Sequence, residues 1–348
     1  MSSQQSNAPS KILFVSRKQL NKKLRYNCYT KKYELPKQPK SKTAFKSYIR
    51  YTSENCSDSE WIGDVMPPDP NQRSTRFWFQ NCHGLMNAND VTRFHHDMNL
   101  ILDQNIHYIG YAETNLNNNH TFSKFQIENS FKQLTDHGRF DLTNTPGFST
   151  QSHYQPGGVA AGFHGRISNR FSRTNRDPCG RWISHEFIGK TNTLKIYTVY
   201  RVNPKPPRGD MTAWQQQKRY LQKDENDSDP RSQVISDLIA SVQQDRENGH
   251  NIIIMVEFNE TITGKEKTND KFSHLGLVNL MENRLQTNVL PRTHKLGKSA
   301  IDHVWISGGI INSVCAAGYA PFDFIEDSDH RGIFFDIVLD EIFDTSVV

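Results

Sequence analysis

Asn251-Ile252-Ile253-Ile254-Met255-Val256-Glu257-Phe258-Asn259 is an apolar run that ends on a carboxylate and an amide. A short apolar run of this kind reads as a buried strand. Polar residues at such an end stand where α/β proteins assemble sites from distant parts of a chain. The same grammar recurs on both sides. Upstream, Phe77-Trp78-Phe79 runs into Gln80-Asn81, residues 106–112 deliver Glu113 and Thr114, and residues 194–199 end on Tyr200. Downstream, Ile301-Asp302-His303 adjoins an apolar run at 304–306, and Ser328-Asp329-His330 adjoins another at 333–339.

Between these clusters the pattern alternates helix and strand. Asp90 reads as the N-cap of a helix that buries Phe94, Met98, Ile101 and Leu102 on one face. Residues 157–163 form a small-residue strand, GGVAAGF. The strands at 182–188 and 194–200 lie too close in sequence for an intervening helix, which predicts antiparallel neighbours. Residues 203–230 form a polar insertion with a short helix at 214–221. Asp229 and Pro230 then supply an N-cap and first turn. The helix they open carries Val234, Ile235, Leu238, Ile239 and Val242 on its buried face, and Gly249 stops it. The expected fold is a layered α/β sandwich, two packed mixed sheets with helices outside.

The chain has 348 residues, of which 35% are apolar, and a mean hydropathy of −0.72. Residues 1–72 lack sustained periodicity and end in Met66-Pro67-Pro68-Asp69-Pro70-Asn71, a linker signature. They read as a disordered arm and linker before a domain at 73–348 whose ordered part begins near Thr75. No apolar run approaches the length of a membrane span, and the first ten residues hold no signal-peptide core. This points to an intracellular protein without membrane contact. The five cysteines show no CxxC spacing, so neither a disulfide framework nor a zinc site is indicated. Net charge is +5, yet residues 11–50 hold thirteen Lys/Arg and one acid, a local +12 that leaves −7 on the remainder. A basic arm interleaved with Tyr26, Tyr29, Tyr33, Tyr48 and Tyr51 fits a nucleic-acid partner, by phosphate contact and base stacking. A solvated, solubilising tail has the same composition.

Carboxylates, an amide, an imidazole and an Asp to orient it are the parts needed for metal-assisted attack on a phosphodiester. Each also has an ordinary reading. Glu113 ends a strand and could be merely solvated, Asn81 and Asn259 suit turns, Tyr200 suits a strand, and Asp302, Asp329 and His330 suit a surface. The ordered set is what points to a site. The full pattern, strand–QN, strand–AET, GGVA, strand–Y, strand–EFN, IDH and SDHR, resembles the endonuclease/exonuclease/phosphatase (DNase I-like) superfamily from about Phe77 to Val338. The QN, AETN and Gly180-Arg181-Trp182 motifs are most similar to endonuclease domains of non-LTR retrotransposons.

The resemblance implies that Glu113 is the central ligand of Mg²⁺, with Mn²⁺ as a substitute, and that Asn81 and Asp329 help to hold it. It implies that His330 contacts the scissile phosphate while Asp302 fixes its tautomer and favours its charged form. Tyr200 and Asn259 would donate hydrogen bonds to phosphate oxygens, and Asn203 and Arg181 would contact the DNA backbone. The implied activity is DNA endonuclease hydrolysis leaving 5′-phosphate and 3′-hydroxyl ends, in a nuclear setting. A deadenylase or phosphoinositide phosphatase on the same fold, or a decayed nucleic-acid binder, are the alternatives.

One position departs from the pattern. Where the family has Gly-Asp-x-Asn, this chain has Val256-Glu257-Phe258-Asn259. Glu keeps the charge but moves the carboxylate outward by one methylene, and a misplacement of about 1 Å costs on the order of a hundredfold in rate. The branched Val256 is expected to crowd the same site.

The charge of the arm gives the first testable expectation. Deleting residues 1–50 lowers DNA affinity and flattens the slope of log K against log salt, because fewer counterions are released on binding. An unchanged slope removes the arm as a DNA contact.

Overall fold

The computed structural model describes residues 57–70, 73–86, 90–147, 152–204, 211–261, 268–325 and 328–343. The basic stretch and its tyrosines lie outside these residues. Two sheets carry the fold. The first runs, in spatial order, β1 (Ile62–Gly63), β12 (Val314–Tyr319), β13 (Ile333–Val338), β2 (Ser74–Asn81), β3 (Tyr108–Ala112), β5 (Val159–Phe163) and β4 (Arg139–Thr143). The second runs β10 (Leu277–Asn279), β11 (Asp302–Ser307), β9 (Asn251–Glu257), β8 (Thr193–Tyr200), β7 (Trp182–Ile188) and β6 (Phe171–Arg176). Both are mixed: β2–β3 and β8–β9 are parallel pairs in otherwise antiparallel ladders. The expected sandwich is the observed one, and β7 and β8 are antiparallel neighbours as predicted.

Side chains alternate between the two faces of a strand, and here both faces are covered. The inner faces meet in one core that includes Phe77, Phe79, Tyr108, Ala161, Ile196, Ile253, Met255, Val304 and Phe335. Intervening residues of the first sheet, among them Trp78, Ile109 and Tyr111, pack with helices α1 (Thr92–Asp103) and α2 (Thr121–Leu134). Those of the second, Tyr197, Val199, Ile252, Ile254, Val256 and Trp305, pack on Val234, Ile235, Leu238 and Val242. These four project from α4 (Pro230–Glu247), which follows the shorter α3 (Ala213–Lys223). Burial on two faces explains why the strands read as continuous apolar runs. Gly110 lets the sheets approach, since a Cβ there would lie 2.7 Å from Met255 Cε and 2.9 Å from Thr198 Oγ1.

The Asp229 cap follows the sequence, whereas the N-cap of α1 is Val91 and not the expected Asp90. Asp229 accepts hydrogen bonds from the Arg231 and Ser232 N–H groups, with Pro230 in the first turn. Asp90 Oδ1 accepts from Thr92 N at 2.8 Å, although the regular helix begins only at Thr92. Several elements are not evident in the sequence, among them α2, β6 and β4. In α2, Phe122 and Phe125 are exposed, which blurs its period. β6, FSRTNR, is a polar edge strand, and β4 begins on an exposed Arg139. Among the described residues no helix is long and apolar enough to cross a membrane.

The ordered part also begins earlier than the expected boundary at residue 73. β1 pairs with β12, and Trp61 is buried with its ring centroid 5.1 Å from Phe324 and 5.4 Å from Phe334. The Arg331 guanidinium donates to the carbonyls of Ser57 and Glu60, each at 2.9 Å. A two-residue strand held mainly by tertiary contacts leaves no periodic trace in the sequence. Trp61→Ala is therefore expected to destabilise the domain by about 3–5 kcal/mol, measured by chemical denaturation. A loss below about 1 kcal/mol would show that this segment is not part of the core.

Candidate active site

The register of the strands builds the site. Tyr200 pairs with Glu257 across β8 and β9, and Glu257 pairs with Asp302 across β9 and β11. Glu257 has the parity of Ile253 and Met255, Asp302 that of Val304 and Ile306, and Tyr200 that of Ile196; all of these partners lie in the inner core. Asn81 shares the face of Phe77 and Phe79 on the opposite sheet. Four polar residues therefore emerge at one rim of the inter-sheet layer because their apolar neighbours fill it.

Asn81 joins the sheets. Its amide nitrogen donates to Glu113 Oε2 at 2.8 Å and to Glu257 Oε2 at 2.8 Å, and lies 3.4 Å from His330 Nε2. Its oxygen accepts from His83 N at 2.8 Å. In this orientation Asn81 gathers the carboxylates as a donor and turns no oxygen toward them. His330 Nδ1 donates to Asp302 Oδ2 at 2.7 Å, and its carbonyl accepts from Gln80 Nε2 at 2.8 Å.

Glu113 follows β3 in the left-handed region, φ 54°, which is uncommon for a residue other than Gly, Asn, Asp or His. Its loop is held on both sides. The Glu113 carbonyl accepts from Gly84 N at 2.8 Å, Asn115 N donates to Gly157 O at 2.8 Å, and Thr114 N donates to Gly158 O at 3.3 Å. The paired glycines of the GGVA motif fit this clamp, because a Cβ on Gly158 would lie 2.8 Å from Thr114 Oγ1 and one on Gly157 3.3 Å from the Tyr200 ring.

Burial and like charges set the protonation states. Burial pushes the Glu257 carboxyl well above the usual carboxylate range, and Asp302 and Glu113 add to this against the opposing pull of His330 and Asn81. Burial likewise raises the Tyr200 phenol, and Glu113 and Glu257 raise it further, so it stays a protonated donor. For His330, burial favours the neutral ring. The charge and hydrogen bond of Asp302, helped by Glu257 and Asp329, outweigh it and push the imidazole up to about 10.

The remaining expected residues are placed less uniformly. Asn259, at φ 52°, donates to the Arg201 carbonyl at 2.8 Å and closes the loop behind Tyr200, with a second N–H left to donate. Asp329 adjoins His330, but its hydrogen-bonded partner is His294, at 3.1 Å from its Oδ2. Asn203 is exposed. Arg181 does not fit the expected DNA contact: its buried guanidinium pairs with Asp177 at 2.6 Å and Asp237 at 2.6 Å, so its charge holds the turn before β7. Val256 does not crowd the site either. Alternation turns it outward onto the α4 core, with Phe258 and Trp305 in the same cluster.

Sequence reading missed Tyr154, a half-exposed phenol within electrostatic reach of Glu113. It also missed Arg201 and Arg231, which hold the loop after β9 through Glu260 and the Phe258 carbonyl. His294 was missed as well. None of these lies in a strand-end motif; their roles arise only where separate loops meet.

The chain matches no protein-family model and no curated protein. Solved structures do match. The AP endonuclease LMAP from Leishmania major is 11% identical, with a TM-score of 0.57 over 85% of this chain and 99% of that one. The 3′ phosphatase NExo from Neisseria, bound to a product DNA hairpin, is 15% identical, with a TM-score of 0.51 over 76% and 99%. The human Nocturnin catalytic domain, with a bound sulfate anion, is 17% identical, with a TM-score of 0.51 over 82% and 98%. This chain has the endonuclease/exonuclease/phosphatase, or DNase I-like, fold.

The His330–Asp302 pair has a consequence for stability. A folded pKa near 10 against an ordinary 6.5 means that the pair contributes stability fully present below about pH 6.5 and lost as pH rises through about 10. Asp302→Asn is expected to move the His330 titration, followed by NMR, downward and to remove this alkaline loss. A His330 midpoint unchanged in the variant would show that Asp302 is not its principal partner.

Proposed function

We propose that this domain is a divalent-metal-dependent phosphodiesterase that acts on nucleic acid, with DNA as the substrate and endonucleolytic nicking as the reaction. The observation that carries the reading is the Asn81 amide, which draws Glu113 and Glu257 together beside the His330–Asp302 pair. Two carboxyl groups, Glu257 buried and Glu113 partly exposed, converge on one donor and form an oxygen-rich set that suits a hard cation. Glu113 and Glu257 would hold Mg²⁺ or Mn²⁺, and Asp329, next to His330 in the chain, would assist. A bound ion would oppose the burial and the neighbouring carboxylate charge that push the Glu257 carboxyl up, and would supply stabilisation of charge developing on phosphoryl oxygens.

The side chains divide the remaining work. His330, held cationic and oriented by Asp302, contacts the scissile phosphate. The Tyr200 phenol and the second N–H of Asn259 donate to its oxygens as charge grows there. Glu257, once ionised, orients the attacking water and accepts its proton. Asn203, exposed after the Tyr200 strand, would meet the substrate backbone. The functions of two structural relatives, an AP endonuclease and a 3′ phosphatase with product DNA, support phosphoester chemistry on nucleic acid. A second reading, a binding protein without turnover, is favoured by the extra methylene of Glu257 alone.

The deciding measurement is nicking of supercoiled plasmid by the full-length protein in Mg²⁺ or Mn²⁺, beside an EDTA control. His330→Ala is expected to lower the rate by roughly 10²- to 10⁴-fold. Glu257→Asp is expected to raise it by roughly ten- to a hundredfold while leaving DNA affinity unchanged, because it draws the water-directing carboxylate back. Binding without nicking in either metal, for parent and Glu257→Asp alike, would replace the enzyme reading with the binding one.

A further inference from the structure

We propose that His294, Asp329 and His330 form a transition-metal site, adjoining the Glu113–Glu257 carboxylates but with a different ligand set, at which Zn²⁺ or a similar cation binds and blocks His330. His294 belongs to none of the strand-end motifs. It is brought to His330 by a short antiparallel contact: Lys295 N donates to Asp329 O at 2.7 Å, and Arg331 N donates to Thr293 O at 2.7 Å. These two bonds flank His294 and His330, which makes them a directly opposed, non-hydrogen-bonded pair, the arrangement that brings side chains closest.

The geometry of the three side chains suits a cation. The imidazole centroids are 5.0 Å apart with the rings inclined at 71°, and His294 Nε2 is 3.1 Å from Asp329 Oδ2. One ligand atom from each residue lies within 4.8 Å of the other two. His330 is also supported from behind: Asp302 holds Nδ1 at 2.7 Å and leaves Nε2 as the available ligand, the usual outer-shell support of a metal-bound imidazole. Thr293 braces the same unit, its hydroxyl accepting from Ile301 N at 2.9 Å and Asp302 N at 3.2 Å. His294 and Asp329 remain partly exposed, so an ion can enter.

The ligand chemistry separates this site from the one proposed for catalysis. Two imidazoles and one carboxylate with an open fourth position suit Zn²⁺ or Co²⁺, whereas Mg²⁺ favours oxygen ligands. A cation on His330 Nε2 occupies the atom assigned to the phosphate. This blocking effect rests on the phosphodiesterase reading; the metal binding itself does not.

The test uses the full-length protein and its His294→Ala variant. The visible absorption of bound Co²⁺ should report one site, displaced by Zn²⁺, and the variant should bind at least about tenfold more weakly. Nicking in Mg²⁺ should be inhibited by Zn²⁺ in the parent, persist in the variant, and be at least about tenfold less Zn²⁺-sensitive there. Equal Co²⁺ affinity in the two proteins, or equal Zn²⁺ inhibition, overturns the proposal. Co²⁺ binding that depends on His294, in a protein that nicks no plasmid, would keep the metal site and overturn the phosphodiesterase reading.

Discussion

The inner faces of the two sheets interdigitate, and the position of the site depends on that packing. Phe77 and Phe79 from one sheet meet Ile253, Met255 and Val304 from the other in a single buried cluster. Because strand side chains alternate strictly, the next inward position on each strand lies at the rim of the same layer. Those positions are Asn81, Glu257 and Asp302. A one-residue slip in any of these strands would turn its polar residue outward and its neighbours into the core. The hydrophobic register that stabilises the fold is thus also what brings the polar groups together, and Gly110 keeps the layer thin enough for Asn81 to bridge it.

The cluster is not arranged for stability. Glu257 is buried and faces the like charges of Glu113 and Asp302, while Glu113 occupies a backbone region that few glutamates adopt. A carboxyl pushed up by burial and an imidazole pushed up by a carboxylate are the perturbations expected where charge is gathered for chemistry. Their compensation lies in the surrounding scaffold. Loop bonds to Gly84, Gly157 and Gly158 hold Glu113, and Arg201 and Arg231 brace the segment after Glu257.

The residue after His330 links the site to the N-terminal side of the domain. Arg331 is buried and donates to Ser57, Glu60 and Ala320 carbonyls, while Arg292 pairs with Asp58 on the exposed side. The loop that carries Asp329 and His330 is therefore anchored by a segment that looked, from composition, like linker. Docking of that segment and ordering of the His330 loop share the same hydrogen bonds.

The sequence by itself determined the long apolar strands, two of the main helices and the order of the polar clusters, because these depend on local patterning and on caps such as Asp229. It also determined that Asn81, Glu113, Tyr200, Glu257, Asp302 and His330 belong together, since each stands at the end of an apolar run. Only the tertiary structure decided which face each residue took and what it touched. Val256 turned away from the site and Arg181 into an ion-paired turn, while Asn81 presented a donor to the carboxylates. Trp61 and His294 entered the account because distant segments met them. Direction across a strand and pairing between loops are set by packing and register, and those are properties of the whole fold.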